Sequence, residues 1–147
     1  MPVTVTLYND TPRRIQAGDF PASDNYIINL YSALPANATA TTKTAAESGA
    51  TQLSTANGYT QNAKALTNVS IATITTNDST FTFDPVTWDA SGGSIAASHA
   101  LIYDDTKTND PPVARIDFDG TVTAVNGTQF RITPDASGGF IRITNAA

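Results

Sequence analysis

The chain has 147 residues, 40% hydrophobic and only 14% charged, with a formal net charge of −5 and an isoelectric point near 4.4. That length fits one domain able to bury a sizeable core without staples. The 8 basic residues are scattered and outnumbered by 13 acids, which argues against phosphate neutralisation on nucleic acid or an anionic membrane. The chain has no Cys, which excludes disulfides, thiolate chemistry and Cys-ligated metal. Thr, Ser and Asn supply the polarity instead, and Thr favours strands.

The opening residues Met1-Pro2-Val3 lack the basic and apolar regions of a signal peptide. No apolar run approaches the ~18 residues of a membrane helix, so synthesis in the cytoplasm is expected. From Val3 onward, apolar and polar residues alternate with the period of half-buried strands. Val3, Val5 and Leu7 alternate with Thr4, Thr6 and Tyr8. A short helix is predicted over Thr11 to Ala17, with Asp10 as N-cap, Pro12 at its first position and Gly18 as its stop. In the next strand, Tyr26, Ile28 and Leu30 face one way and Ile27 and Tyr31 the other.

Residues 35–57 carry few large apolar groups and read as a long surface loop, or an arm that orders against a neighbouring subunit. Strands resume at Val69 to Ile74, Phe81 to Phe83 and Val86 to Trp88. Ala100 to Tyr103 reads as a central strand covered on both faces, with His99 in phase with Ile95, Ala97, Leu101 and Tyr103. Further strands follow at Ala114 to Asp119, Val122 to Val125, Thr128 to Ile132 and Phe140 to Thr144. Asn126-Gly127 is the strongest hairpin signal among the turns. The string Asp89-Ala90-Ser91-Gly92-Gly93 recurs as Asp135-Ala136-Ser137-Gly138-Gly139, read as two similar turns. The expected fold is one all-β domain over 1–147, a jelly-roll-like sandwich of about eight short antiparallel strands with at most one helix.

Catalytic chemistry is hard to assemble from these residues. His99 is the one histidine, and no Gly-x-Ser-x-Gly elbow or Gly-rich phosphate loop is present. Asp104, Asp105, Asp110, Asp117 and Asp119 cluster in sequence. Asp117-Phe118-Asp119-Gly120 is like the middle of a calcium loop but lacks its closing Glu, so the acids read as solvated strand ends. A small glycan hydrolase is the enzyme alternative, to be tested at His99 and the Asp104/Asp105 pair; a Ser-His-Asp arrangement around His99 also stays open. Trp88 reads as core, with a sugar or protein contact as the alternative. The sequence therefore predicts no enzyme, no catalytic residues, no metal and no cofactor. The sequons at Asn37, Asn68, Asn77 and Asn126 are chance matches in an Asn- and Thr-rich chain.

Several short motifs occur in order: Gly58-Tyr59-Thr60, Lys64-Ala65-Leu66-Thr67-Asn68-Val69, Phe81-Thr82-Phe83-Asp84 and Val86-Thr87-Trp88-Asp89-Ala90-Ser91-Gly92-Gly93. Ala100-Leu101-Ile102-Tyr103-Asp104-Asp105, Ile116-Asp117-Phe118 and a last Gly-Phe-Ile-Arg strand follow. Over roughly 57–144 this set resembles a family of small bacteriophage virion proteins that includes capsid cement and decoration proteins. The first half departs from the pattern: Thr11 to Ala17 is a weak helix and Val3 to Tyr8 looks like an added strand. The resemblance implies a protein on the capsid surface of a virion, bound to the major capsid protein and to copies of itself as a dimer or trimer, without nucleic acid or membrane as partner. The alternative is a tail or fibre component that binds a host surface, with glycan as one target.

Overall fold

A computed structural model describes residues 3–75, 78–135 and 140–144. The chain is mostly β and antiparallel, and its apolar strand faces meet in a main core, with a second cluster on the outer face of its large sheet. Strands β1 (Thr4–Leu7), β2 (Tyr26–Ala33), β3 (Thr51–Gln52), β7 (Ile95–Asp104) and β8 (Pro112–Ala124) form a five-stranded sheet in the order β1-β8-β7-β2-β3. A three-stranded sheet, β10-β5-β4, comprises β4 (Ser70–Thr75), β5 (Asp78–Thr82) and β10 (Ile141–Thr144). Strands β6 (Val86–Asp89) and β9 (Gln129–Ile132) pair separately. Among the described residues the strands thus divide into sheets of five, three and two, consistent with an all-β sandwich.

The two periodicities of β2 appear as expected: Tyr26, Ile28 and Leu30 enter the main core, while Tyr31 belongs to a second cluster on the outer face. β7 departs from simple alternation. Its register against β8 shifts between Ala97 and His99. A bulge turns the side-chain phase over. Ile95 and Ala97 therefore join the same core as Ala100 and Ile102, and His99 parts from them to share the outer face with Leu101. Opposite, β8 loops out at Asp119 (φ 56°) and Gly120 (φ 128°) while Phe118 still reaches the core, 5.7 Å from the Phe130 ring.

Helix α1 (Thr11–Ala17) occupies the expected residues and ends at Gly18, which is left-handed at φ 76°. Asp10 holds the N-cap position without a side-chain cap bond, because its carboxylate is taken by Arg13 at 2.6 Å and Arg14 at 2.7 Å. Pro12 stands at the second helical position, one later than expected. A second helix, α2 (Lys43–Ala46), was not expected; Thr42 caps it by accepting from the Ala45 amide at 3.2 Å.

The segment 35–57 is not a free arm. It carries α2 and β3, and its Ala40 and Ala46 pack with Tyr8, Tyr31, Leu34 and Leu101 on the outer face of the large sheet. Small residues suit this role because a thin cover must lie close to the sheet. Polar contacts fix it. Tyr31 donates to Glu47 at 2.5 Å, and Arg115 Nε donates to the Leu34 carbonyl at 2.9 Å. Asn29, fully buried, donates to Asn62 Oδ1 at 2.6 Å and accepts from the Asn62 amide at 3.0 Å. Lys43 Nζ donates to the same Asn62 oxygen at 2.8 Å.

Asn126-Gly127 makes a turn but not a hairpin. Thr128 N–H closes it onto Val125 C=O at 2.9 Å, yet β9 pairs with β6 and not with β8. The preferred two-residue hairpin turn needs positive φ at both central residues, and only Gly127 has it, at 84°. The chain therefore splays and changes sheets. Of the repeated string, Asp89–Gly93 forms a turn locked to Asn57 and Gly58; residues 136–139 of the second copy lie outside the described residues.

That lock draws two sequence motifs together. Gly58, at φ 88°, lies so close to the Asp89 backbone that a Cβ would collide with the Asp89 carbonyl. Ser91 N–H donates to Asn57 C=O at 3.1 Å, and Asn57 Nδ2 donates to Ser94 C=O at 3.1 Å. Gly58→Ala is expected to cost more than about 2 kcal/mol, a loss of roughly 4–8 °C in thermal midpoint. Gly127→Ala, with positive φ but open space around it, should cost only the conformational ~1–2 kcal/mol. Thermal unfolding followed by circular dichroism separates the two.

Candidate functional site

Three clusters gather the residues that bear chemistry. The first lies on the outer face of the large sheet. His99 and Asp117 are direct cross-strand partners, and His99 Nε2 stands 3.4 Å from Asp117 Oδ2. Arg115 Nη1 meets the same oxygen at 3.3 Å, and Ser98 Oγ lies 2.6 Å from His99 Nδ1. Burial first and Arg115 second push the His99 imidazole below its ordinary value, against the pull of Asp117. A Ser, a His and an Asp are thus brought into line. A nucleophilic serine must hand its proton to the imidazole, whereas the Ser98 hydroxyl donates to the Ser32 carbonyl at 2.7 Å. The row ties β2, β7 and β8 together.

The second cluster sits where β7 leaves the sheet. Asp104 is fully buried, and its Oδ1 accepts from the Thr106 amide at 2.9 Å. Its Oδ2 has no hydrogen-bond donor, and Asp24 is its neighbour, itself 3.0 Å from Lys107 Nζ. Burial pushes the Asp104 carboxyl up to about 6; the Thr106 amide opposes this and the Asp24 carboxyl adds to it. Asp105, next in sequence, is exposed and accepts from Asn25 Nδ2 at 3.2 Å. His99 and Asp104 fall on opposite faces of the sheet, one against the outer cover and one beside Tyr26, so the trio His99, Asp104 and Asp105 does not converge. Asp119 donates its amide to Asp117 Oδ1 at 3.0 Å, an acid-terminated turn rather than half of a calcium loop. Among the described residues no group of three or more His, Asp or Glu side chains converges to hold a metal ion.

The third cluster is apolar. A cleft of about 330 Å³ opens between β1–β8 and the second layer, lined by Val3, Val5, Ile116, Val122, Ile132 and Phe140 among others. Val3, Val5, Val122 and Val125 are the exposed large hydrophobics of the described residues, at 56%, 37%, 36% and 56%. Composition could not reveal this gathering, because β1 and Val122 are remote in sequence and meet only through pairing with β8. Trp88 is not part of it. It is 4% exposed, edge-on to Phe130 at 6.0 Å and near Tyr59 at 6.4 Å, so it offers no platform for a sugar.

No protein-family model, curated protein or solved structure matches the chain. Among the described residues no helix is long and apolar enough to cross a membrane.

The Asp104 carboxyl sets a pH dependence. Its folded pKa, about 6, lies above the ordinary ~3.9, so its contribution to stability is complete below about pH 4 and is lost as pH rises through 6. Asp104→Asn keeps an acceptor for Thr106 and gains a donor toward Asp24. Its thermal midpoint should rise relative to the parent as pH goes from 4 to 7.5, checked by scanning calorimetry across that range.

Proposed function

We propose that this chain is a bacteriophage structural protein, a cement or decoration protein that binds the major capsid protein and stabilises the shell. One observation carries the reading: Val3, Val5 and Val122, three of the four exposed large hydrophobics of the described residues, line one apolar cleft at a flank of a cross-tied β framework. Monomeric surfaces seldom gather apolar side chains without a partner. The ordered motif set from Gly58 to Asp105 adds the virion context through its resemblance to phage proteins. Those motifs work mainly as fold determinants here. Gly58 seats against Asp89, the Tyr59 hydroxyl accepts from the Leu30 amide at 3.1 Å, and the Leu66 amide donates to the Tyr26 carbonyl at 2.8 Å.

The shell-facing surface in this reading is the corner at Val122, Val125 and the Asn126-Gly127 turn. A protein that straddles neighbouring capsomers gains because several weak contacts made at once multiply in strength. The tail or fibre alternative draws no support from Trp88, which lies in the core. Particles assembled without the protein should lose infectivity or genome at a lower temperature than complete ones. Purified shells should bind the recombinant chain in co-sedimentation, and Val125→Asp should weaken that binding at least tenfold while circular dichroism stays unchanged. Particles of unaltered heat stability, with no binding to the shell, would remove the proposal.

A further inference from the structure

The two margins of the large sheet are treated differently. Beyond β2, every stretch of edge is occupied. Leu53 N–H donates to Leu30 C=O at 3.0 Å, Ile28 N–H to Lys64 C=O at 3.0 Å and Leu66 N–H to Tyr26 C=O at 2.8 Å, while Tyr59 Oη accepts from the Leu30 amide. Strand β3 closes the rest. At the other margin, β1 pairs with β8 alone, in an unbroken register from Thr4↔Asp117 to Leu7↔Ala114. Among the described residues, no backbone hydrogen bond outside that ladder reaches 3–7. Between Val3 and Tyr8 there is no Lys, no bulge and no Pro; the shortness of β1, four residues, is the one guard of this edge. Val5 on this strand and Val3 just before it are exposed.

We infer that β1 is a homodimerisation strand, pairing antiparallel with β1 of a second copy about a twofold axis through Val5. Self-pairing is favoured because Val3–Tyr8 is uncharged, so no like charges meet across the new seam. The neighbouring strand selects the register. With Val5 opposite Val5, Thr4 faces the second copy's Thr6, and the row across the seam runs from Asp117 on one side to Arg115 on the other, because these flank Thr4 and Thr6. Sliding to Thr4 opposite Thr4 would align two Asp117 side chains, and sliding to Thr6 opposite Thr6 two Arg115. The chosen register also sets Val3 against Leu7 and covers the exposed valines at the mouth of the apolar cleft. The two five-stranded sheets then become one continuous sheet, as in strand addition between chains. The seam does not rest on binding to a capsid.

Light scattering on the full chain tests this, with an expected mass of twice 15.4 kDa for the parent. Val5→Lys should be a folded monomer by the same measurement and by circular dichroism. Because the chain lacks Cys, single-cysteine variants report contacts directly. Val5→Cys should be captured as a covalent dimer by a short bis-maleimide, and Val125→Cys, at an exposed apolar site away from the seam, should not. A monomeric parent at 100 μM, a dimer that persists in Val5→Lys, or equal capture of both cysteine variants would each overturn the inference. A monomeric parent would leave the shell-binding experiment unaffected, so the two proposals fail separately.

Discussion

Strands β2 and β7 are covered on both faces, and the rest of the molecule is arranged around that requirement. Leu30, Ile28, Ala100 and Ile102 lie against the second layer of strands. On the reverse side, Tyr31 and Leu101 need a cover of their own. A sheet buried on both faces excludes water from its backbone as well as its side chains, so most polar groups there find a partner within the protein, Asp104 Oδ2 at the end of β7 being an exception. Asn29 is the sharpest case, fully buried and held by the backbone and side chain of Asn62. The segment from Leu34 to Asn62 supplies the cover, and its Ala- and Thr-rich composition lets it lie close while Glu47, Lys43 and Asn62 supply the hydrogen bonds.

The same constraint explains the unequal margins. The cover and the Tyr59–Leu66 stretch run along β2 and satisfy its edge as they pass. Among the described residues, β1 joins at the far side of β8 and pairs with no second strand, although the 36–38 loop lies near its end and accepts from the Asn9 amide at 2.8 Å. The apolar flank lies where the enclosing segments stop. Among the described residues, the exposed valines thus lie at the limit of the cover.

Charges tie this architecture together. Arg115 joins the cover to β8 through Leu34 and steadies Asp117, while His99 bridges toward Asp117 across β7. Asp104 holds the end of β7 through the Thr106 amide, in a site dry enough to raise its carboxyl to about 6. Each acid of the Asp104–Asp119 stretch that the sequence brings to notice ends at a turn, a cap or a cross-strand pair, and they are spread over both faces and one end of the sheet.

The sequence by itself determined the all-β class, most strand positions, helix α1 with its Gly18 stop, and the two faces of β2, because these follow from local periodicity and from glycine's tolerance of positive φ. It also carried the Gly58 and Asp89–Gly93 motifs, though not the fact that they touch. Tertiary structure decided the rest. The bulge at Ser98 separates His99 from Ile95 and Ala97, which a strict alternation keeps together. The Asn126-Gly127 turn directs β9 to β6, since pairing depends on which edges are free and not on the turn alone. The 35–57 segment looks too small and polar to bury anything until the outer face of β2 and β7 is there to receive it. The candidate interface was the least legible part, because exposure of Val3, Val5 and Val122 depends on what fails to pack on them, and no local pattern encodes a missing neighbour.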